Sequence, residues 1–300
     1  MWNLDTPNIE AREAFKACIS RAIASDKLAI LTPYEEPVVE AADRFETACR
    51  AKNLHRLNVA DFRPPASRMA AGDAKELKKM YNDRMAPKTA GGHAIYSRIF
   101  NLATKCPLCG VGTVRQLDHH LPKGFYPYLA VVPSNLVPVC SDCNHGKNDT
   151  VPRSHSEQTL HPYFDDIDQD RWLRAEFTEE IIEAGTEPTE GAGWTWQVRF
   201  YVEPPQHWDG RLAARVRHHF TAYGLDDLYR KQVADELTGI GYQLDLVLNS
   251  AGPSAVQQQL QDTAHSRARP RHNTWMVALY EALASNPWYY SGGFRIVAEG

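Results

Sequence analysis

Cys106-Pro107-Leu108-Cys109 and Cys140-Ser141-Asp142-Cys143 are two C-x2-C pairs with thirty residues between them. In a reducing compartment this spacing predicts one tetrahedral zinc site, because two thiolates in a tight knuckle can share a metal with a second such pair. Disulfides or a redox-active C-x2-C are the competing readings of the same residues. The zinc expected here is structural, since four thiolates leave no coordination position open to water or substrate. Gly110 directly after Cys109 supplies a residue that lets the chain fold back over the metal. The two remaining cysteines, Cys18 and Cys49, sit alone in apolar helical patterns and read as buried core.

Working outward, the segment between the knuckles carries Leu117-Asp118-His119-His120-Leu121-Pro122-Lys123 and then Ser134-Asn135-Leu136. The second knuckle runs on into Asn144-His145-Gly146-Lys147. Hydrolysis of a phosphodiester needs a group that deprotonates water and a cation that neutralises charge on the phosphate. Histidine suits the first task because it titrates near neutral pH. A hard cation such as Mg²⁺ takes oxygen ligands, which an Asp carboxylate and an Asn carbonyl supply. Neighbours along a strand point to opposite faces, so Asp118 and His119 can serve one site only at a strand end or in a loop.

These residues resemble the HNH, or ββα-metal, endonucleases built on a zinc-knuckle frame. The resemblance covers about Lys105 to Pro152, roughly one sixth of the chain. It implies an Asp-His pair ending a first strand, an Asn in the following loop, and a second C-x2-C leading into a helix. On that basis Asp118 is a ligand of a catalytic Mg²⁺ or Mn²⁺, His119 the general base, and Asn135 the residue that braces the loop. Asn144 takes the third signature position as second metal ligand, with His145 as the fallback, although one residue along a helix turns it some 100° away. Lys147 and Lys123 are the candidate phosphate contacts, each weighed against plain solvation, and His120 reads as a packing residue. A closer likeness, over DHHLPKGFYPYLAVVPSNLVPVCSDCN, is to HNH proteins encoded beside ATPases in anti-phage systems of the Septu and retron-linked kind. It implies a defence role and an ATPase partner.

The fold expected is α+β: a mostly helical chain with a central zinc-stabilised ββα core and a C-terminal unit of one hairpin plus helices. Residues 1–90 read as a helical region, with a first helix opening at Thr6-Pro7 and carrying Ile9, Phe15, Ile19 and Ile23, a second at about 37–52, and a charged one around 73–85. The nuclease core is expected over 91–155. In 156–300, Phe177–Ile182 and Trp194–Val202 alternate as strands do around a Gly/Glu/Thr loop, and helices follow at about 208–223, 226–248, 254–267 and 271–285. That last region is a possible docking surface for a partner or substrate.

The chain carries 33 Lys and Arg against 37 Asp and Glu, a net charge of −4, which permits nucleic-acid binding without arguing for it. Between Lys105 and Arg153 the balance turns to five basic residues against three acids. The N-terminus lacks the basic flank and apolar run of a signal peptide, and no stretch reaches bilayer length, so the expectation is a cytoplasmic protein without membrane partners. Nucleic acid, DNA in preference to RNA, is the expected substrate. The alternative is a non-catalytic zinc-knuckle module that binds nucleic acid or protein. Asp118, His119, Asn135 and Asn144 separate the two, since a scaffold needs only the cysteines.

Overall fold

Ala14, Phe15 and Cys18 fall on one side of Ala11–Ile19, which folds as helix α1 with that side buried. The helix starts four residues later than Thr6-Pro7 suggested. Residues before it are tied elsewhere: the Trp2 N–H donates to the Pro107 carbonyl (2.7 Å) and the Leu4 N–H to that of Pro162 (2.9 Å). Helix α2 (Ser25–Leu31) follows, then α3 (Glu35–Arg50). Pro37 lies in the first turn of α3, where its missing N–H breaks no helical bond. The computed structural model describes residues 1–20, 25–70, 72–147, 150–182 and 193–299, so Ile23 of the expected first helix lies outside them.

Short α4 (Ala66–Ala70) leads to α5 (Asp73–Met80). The expected helix over 73–85 does not stay α: at Tyr81–Met85 it widens into a π turn, closed by the Ala86 N–H on the Tyr81 carbonyl (2.9 Å). Helix α6 (His93–Phe100) then delivers the chain to the first cysteine pair. Strand β1 (Gln116–His119) pairs antiparallel with β2 (Leu136–Val139), in the register Asp118↔Val137 and His119↔Leu136, and α7 (Ser141–Lys147) starts almost at once after β2.

Strands β3 (Leu173–Ile182) and β4 (Gly193–Val202) form the second antiparallel pair, with Phe177 opposite Val198. The loop expected over 183–193 lies outside the described residues apart from Gly193, which opens β4. Helices α8 (Gly210–Ala222), α9 (Leu225–Ala251), α10 (Pro253–Ala268) and α11 (Trp275–Ser285) come close to the expected spans. A π turn at Tyr289–Gly293 and a last helix α12 (Phe294–Glu299) went unforeseen, because Tyr-Tyr-Ser-Gly-Gly reads as a breaker rather than as part of a helix. The chain is thus α+β, mostly helical with two small sheets. Among the described residues no helix is long and apolar enough to cross a membrane.

Two compact units divide the chain: Met1–Ile167 with Gly210–Tyr223, and Asp168–Asp209 with Gly224–Gly300. In the first, one apolar core joins Phe15 and Phe45 of the early helices to Leu117, Leu121 and Leu136 around the strand pair. Residues 1–90 and 91–155, read from sequence as two regions, share that core. Cys18 and Cys49 are buried in it, and burial pushes the Cys18 thiol up to about 12, so it stays an inert apolar group. In the second unit α11 packs on β3 and α9 on β4, burying Phe177 and Phe200. The Asn273 side chain finishes the start of β3 by accepting from the Trp172 (2.9 Å) and Leu173 (3.1 Å) N–H groups.

Helix α8 joins the first unit through buried polar chemistry that its sequence does not announce. Arg215 donates to both carboxylate oxygens of Asp165 (2.9 and 2.7 Å), Lys52 adds a third contact to the same carboxylate (2.8 Å), and the Arg215 and Asp165 side chains are almost wholly buried. Burial pushes the Asp165 carboxyl up, but the Arg215 hydrogen bonds and the Arg215 and Lys52 charges outweigh it and hold it at about 2. One turn on, His219 is fully enclosed. Its Nδ1 accepts the Leu160 N–H (3.3 Å) and its Nε2–H donates to the Leu108 carbonyl (2.9 Å), so the ring is neutral, and burial holds it down at about 3.

An unfolded histidine binds its proton near pH 6.5, so below that value the unfolded chain holds a proton the folded one refuses. Stability supplied by His219 is therefore complete above about pH 6.5 and is lost progressively as pH falls toward 3, with Asp165 adding its own loss from about pH 4 down. Denaturant titrations at saturating zinc between pH 8 and 5 should show the decline. His219→Gln should start less stable and vary less across that range; an equal slope in both proteins refutes the assignment. Arg215→Met should cost about 3–5 kcal/mol, because it leaves the Asp165 charge buried without its main partner.

Candidate functional site

The four paired cysteines come together. The Sγ atoms of Cys106, Cys109, Cys140 and Cys143 all lie within 4.8 Å of one another, all four residues are buried, and none forms a disulfide. Cys109 and Cys140 stand 3.9 Å apart at sulfur. A tetrahedron with Zn–S bonds of about 2.3 Å has edges of about 3.8 Å, so the cluster has the size a zinc ion requires. Backbone amides complete a thiolate environment: the Val111 and Gly112 N–H groups donate to the Cys109 sulfur, and that of Cys143 donates to Cys140, each at 3.5 Å. The residues fit a structural zinc.

Two glycines make the knuckle possible. Gly110 adopts φ +75°, the left-handed conformation that closes the turn, and a Cβ there would meet the Trp2 indole at 2.9 Å. Gly112 is the stricter case, since its Cβ would lie 2.5 Å from the Cys140 Cβ and 2.7 Å from its sulfur. Sequence reasoning singled out Gly110 and missed Gly112; the Gly-Val-Gly spacing after Cys109 was the signal. The knuckle is further held by the Trp2 N–H on Pro107 and by His219 on Leu108.

Asp118 and His119 close strand β1, where burial alternates: Asp118 is half-buried and His119 buried. Asp118 Oδ1 turns toward the strand end and accepts the N–H of His119 (2.8 Å). The His119 Nε2 lies 2.9 Å from the Ala130 carbonyl oxygen. A carbonyl only accepts, so Nε2 carries a proton and donates it to Ala130.

Asn135 is fully buried and holds the intervening loop at several points. Its Oδ1 accepts the Leu121 N–H (2.7 Å), its Nδ2 donates to the Leu121 (3.0 Å) and Leu129 (3.2 Å) carbonyls, and its own carbonyl accepts the His120 N–H (2.7 Å). Leu129 precedes the residue that anchors His119, so this amide ties the imidazole's acceptor to the strand end.

Asn144 lies half-buried in the first turn of α7, its N–H on the Cys140 carbonyl (3.2 Å). It starts one residue past Cys143, so the metal cluster sets its position. Tyr223, at the end of α8, is buried; burial first, then the charges of Cys143 and Asp118, hold its hydroxyl well above the ordinary value. The end of α8 lies beside α7, where a Cβ at Gly146 would meet the Ala222 carbonyl at 3.6 Å, a neighbour not foreseen from sequence.

His145 is exposed and its Nδ1–H bonds back to the Ser141 carbonyl (2.7 Å) of its own helix. His120 is buried with its ring 4.1 Å from that of His161, as a packing residue would be. Lys123 donates to the Asn82 side chain (2.9 Å) and lies 4.4 Å from the centre of the Tyr81 ring. Lys147 ends α7, and its side chain lies outside the described residues. A cleft of about 660 Å³ is lined by His120, Phe125, Gly146, Arg153 and His218 among others, while Asp118, His119 and Asn144 are not part of its lining.

With the geometry in place, known proteins supply kinship. Over 230 residues the chain is 30% identical to Protein ea31 of Escherichia phage lambda, covering 72% of this chain and 74% of that protein. The chain belongs to the Protein ea31 family. No protein-family model and no solved structure matches it. The aligned span exceeds either unit taken alone, so kinship with Protein ea31 extends well beyond the cysteine segment.

The metal centre makes two predictions. Metal analysis of the purified chain should find one zinc per molecule, and Cys140→Ser should give an aggregated or unfolded first unit, because structural zinc binding is folding energy; a folded, zinc-free protein contradicts this. Gly112→Ala should lower zinc affinity and melting temperature sharply, whereas Gly146→Ala, whose Cβ meets only the Ala222 carbonyl at 3.6 Å, should be tolerated.

Proposed function

We propose that the chain is a metal-dependent endonuclease of the HNH type, hydrolysing phosphodiester bonds of nucleic acid with DNA as the favoured substrate. The observation that supports the reading is His119: its Nε2–H is committed to the Ala130 carbonyl in a loop locked by Asn135, and it closes β1 directly after Asp118. A scaffold needs only the four cysteines, and the set Asp118, His119, Asn135 and Asn144 goes beyond that need.

The oxygen donors Asp118 and Asn144 suit a hard cation rather than a second zinc, and the reading assigns them to Mg²⁺ or Mn²⁺. Such an ion, when bound, would neutralise charge on the phosphate and on the departing oxygen. His119 Nδ1 takes a proton from the attacking water, whose oxygen bonds to phosphorus. The P–O3′ bond breaks, O3′ gains a proton from solvent, and the ends are a 5′-phosphate and a 3′-hydroxyl. Lys123 and Lys147 are assigned to the phosphate backbone as point charges. The likeness to ATPase-linked anti-phage nucleases extends the reading to a defence effector working with an ATPase partner.

Plasmid, linear duplex, single-stranded DNA and tRNA should each be incubated with the full chain and Mg²⁺ at low salt. His119→Ala should lose about 10²–10⁴ in rate with folding and zinc content intact. Asp118→Ala and Asn144→Ala should weaken both activity and its dependence on Mg²⁺. Undiminished cutting by His119→Ala, or no cutting of any substrate by the wild type with its ATPase partner supplied, refutes the reading in favour of a binding module.

A further inference from the structure

The His119 ring does not stand against its own strand pair alone. Tyr81, from the π turn after α5, packs its ring on the imidazole with centroids 4.6 Å apart and planes at 71°. The tyrosine is fixed at two ends. Its hydroxyl donates to the Leu117 carbonyl (2.7 Å), two residues before His119 on β1, and its ring lies 6.3 Å from that of Tyr96 on α6. The same ring carries the Lys123 ammonium 4.4 Å from its centre, and Asn82, the next residue of the π turn, accepts a hydrogen bond from that ammonium (2.9 Å). An aromatic ring contacts an imidazole and an ammonium at once, and both belong to the segment 119–123.

We propose that Tyr81 is a positioning residue for this centre: its ring sets the plane of the His119 imidazole and places the Lys123 ammonium in fixed relation to it. The inference rests on the nuclease reading, in which His119 is the base and Lys123 a phosphate contact. The physical case is local. A histidine ring whose Nε2 is hydrogen-bonded to Ala130 can still turn about that bond, because χ2 of an imidazole is a broad, soft torsion. A perpendicular aromatic wall removes that freedom. The ammonium gains a cation–π contact and a hydrogen bond that hold a flexible four-carbon stem in place. The π turn has a purpose on this account: one extra residue in the turn directs consecutive residues Tyr81 and Asn82 to one neighbour, Lys123. The helical residues before the cysteine segment are then part of the reaction centre's wall rather than a separate docking region.

The test uses the full, zinc-loaded chain. Tyr81→Leu removes the ring; Tyr81→Met, whose unbranched chain refills irregular space, is made beside it so that a folded ring-less variant is in hand. Tyr81→Phe keeps the ring and gives up only the bond to Leu117. Two readouts are taken: kcat and KM for cleavage, and the ¹⁵N spectrum of His119, which reports which ring nitrogen is protonated. The ring-less variants should lose about 10²-fold in kcat with a smaller rise in KM, as displaced catalytic groups do, and their His119 should become a mixture of tautomers. Tyr81→Phe should recover most of the loss and keep the Nε2–H form. Unchanged kcat overturns the proposal, as does loss of cleavage with an unaltered His119 spectrum. If the wild type cuts nothing, the nuclease reading fails, and the His119 spectrum still decides whether Tyr81 orients the ring.

Discussion

Four sulfur atoms within 4.8 Å of one another, all shielded from water, are the constraint on which the strand-end centre depends. Four buried thiols packed this closely and not joined as disulfides are the donor set of a structural zinc, which would bind them as thiolates. Structural zinc of this kind is worth about 10–16 kcal/mol in isolated zinc-finger peptides. Strands of four residues and a helix of seven are too short to be stable alone, and a zinc held by the cysteines would anchor them. Because Cys140 and Cys143 bracket the start of α7, such a metal would also fix where Asn144 sits relative to β2.

What the cysteines do for the helix, Asn135 does for the loop. Its amide occupies donor and acceptor positions that a strand partner would otherwise fill, and it does so at zero exposure, where an unmet hydrogen bond costs most. The result is a loop whose Ala130 carbonyl is stationary enough to choose the tautomer of His119. Tyr81 constrains the same ring from the helical side. Two elements, the loop through Ala130 and the π turn carrying Tyr81, thus bear on one imidazole, and each contributes a restraint that the other lacks.

Around this centre the chain spends polar groups in its interior. Asp165 gathers Arg215 and Lys52, and His219 spans the Leu160 amide and the Leu108 carbonyl. Such a cluster adds little net stability over a well-packed apolar alternative, but each member strands the others when removed. Its effect is to specify where α8 docks, and the Ala222 carbonyl at the end of α8 lies beside Gly146 of α7. Helix placement and site geometry are therefore coupled through buried charge.

The sequence by itself determined the metal cluster, the Asp118-His119 strand end, the Asn135 brace and most helix spans, because each rests on local pattern: C-x2-C spacing, turn residues, and apolar repeats of 3.6 or 2. It misjudged the start of α1, since the cap and proline at Thr6-Pro7 were outweighed by hydrogen bonds from Trp2 and Leu4 to residues more than a hundred positions away. It read 73–85 as one regular helix, because a π turn has no signature of its own in Tyr81–Met85. It assigned Gly210–Ala222 to the C-terminal region, where the tertiary structure puts it with the first unit through Arg215 and His219. Tyr81 was invisible because its importance lies in what approaches it from elsewhere in the chain, whereas Gly112 had left its signal in the Gly-Val-Gly spacing after Cys109. Local pattern named the cysteines and the Asp118-His119 pair, and only long-range packing decided how those side chains are held.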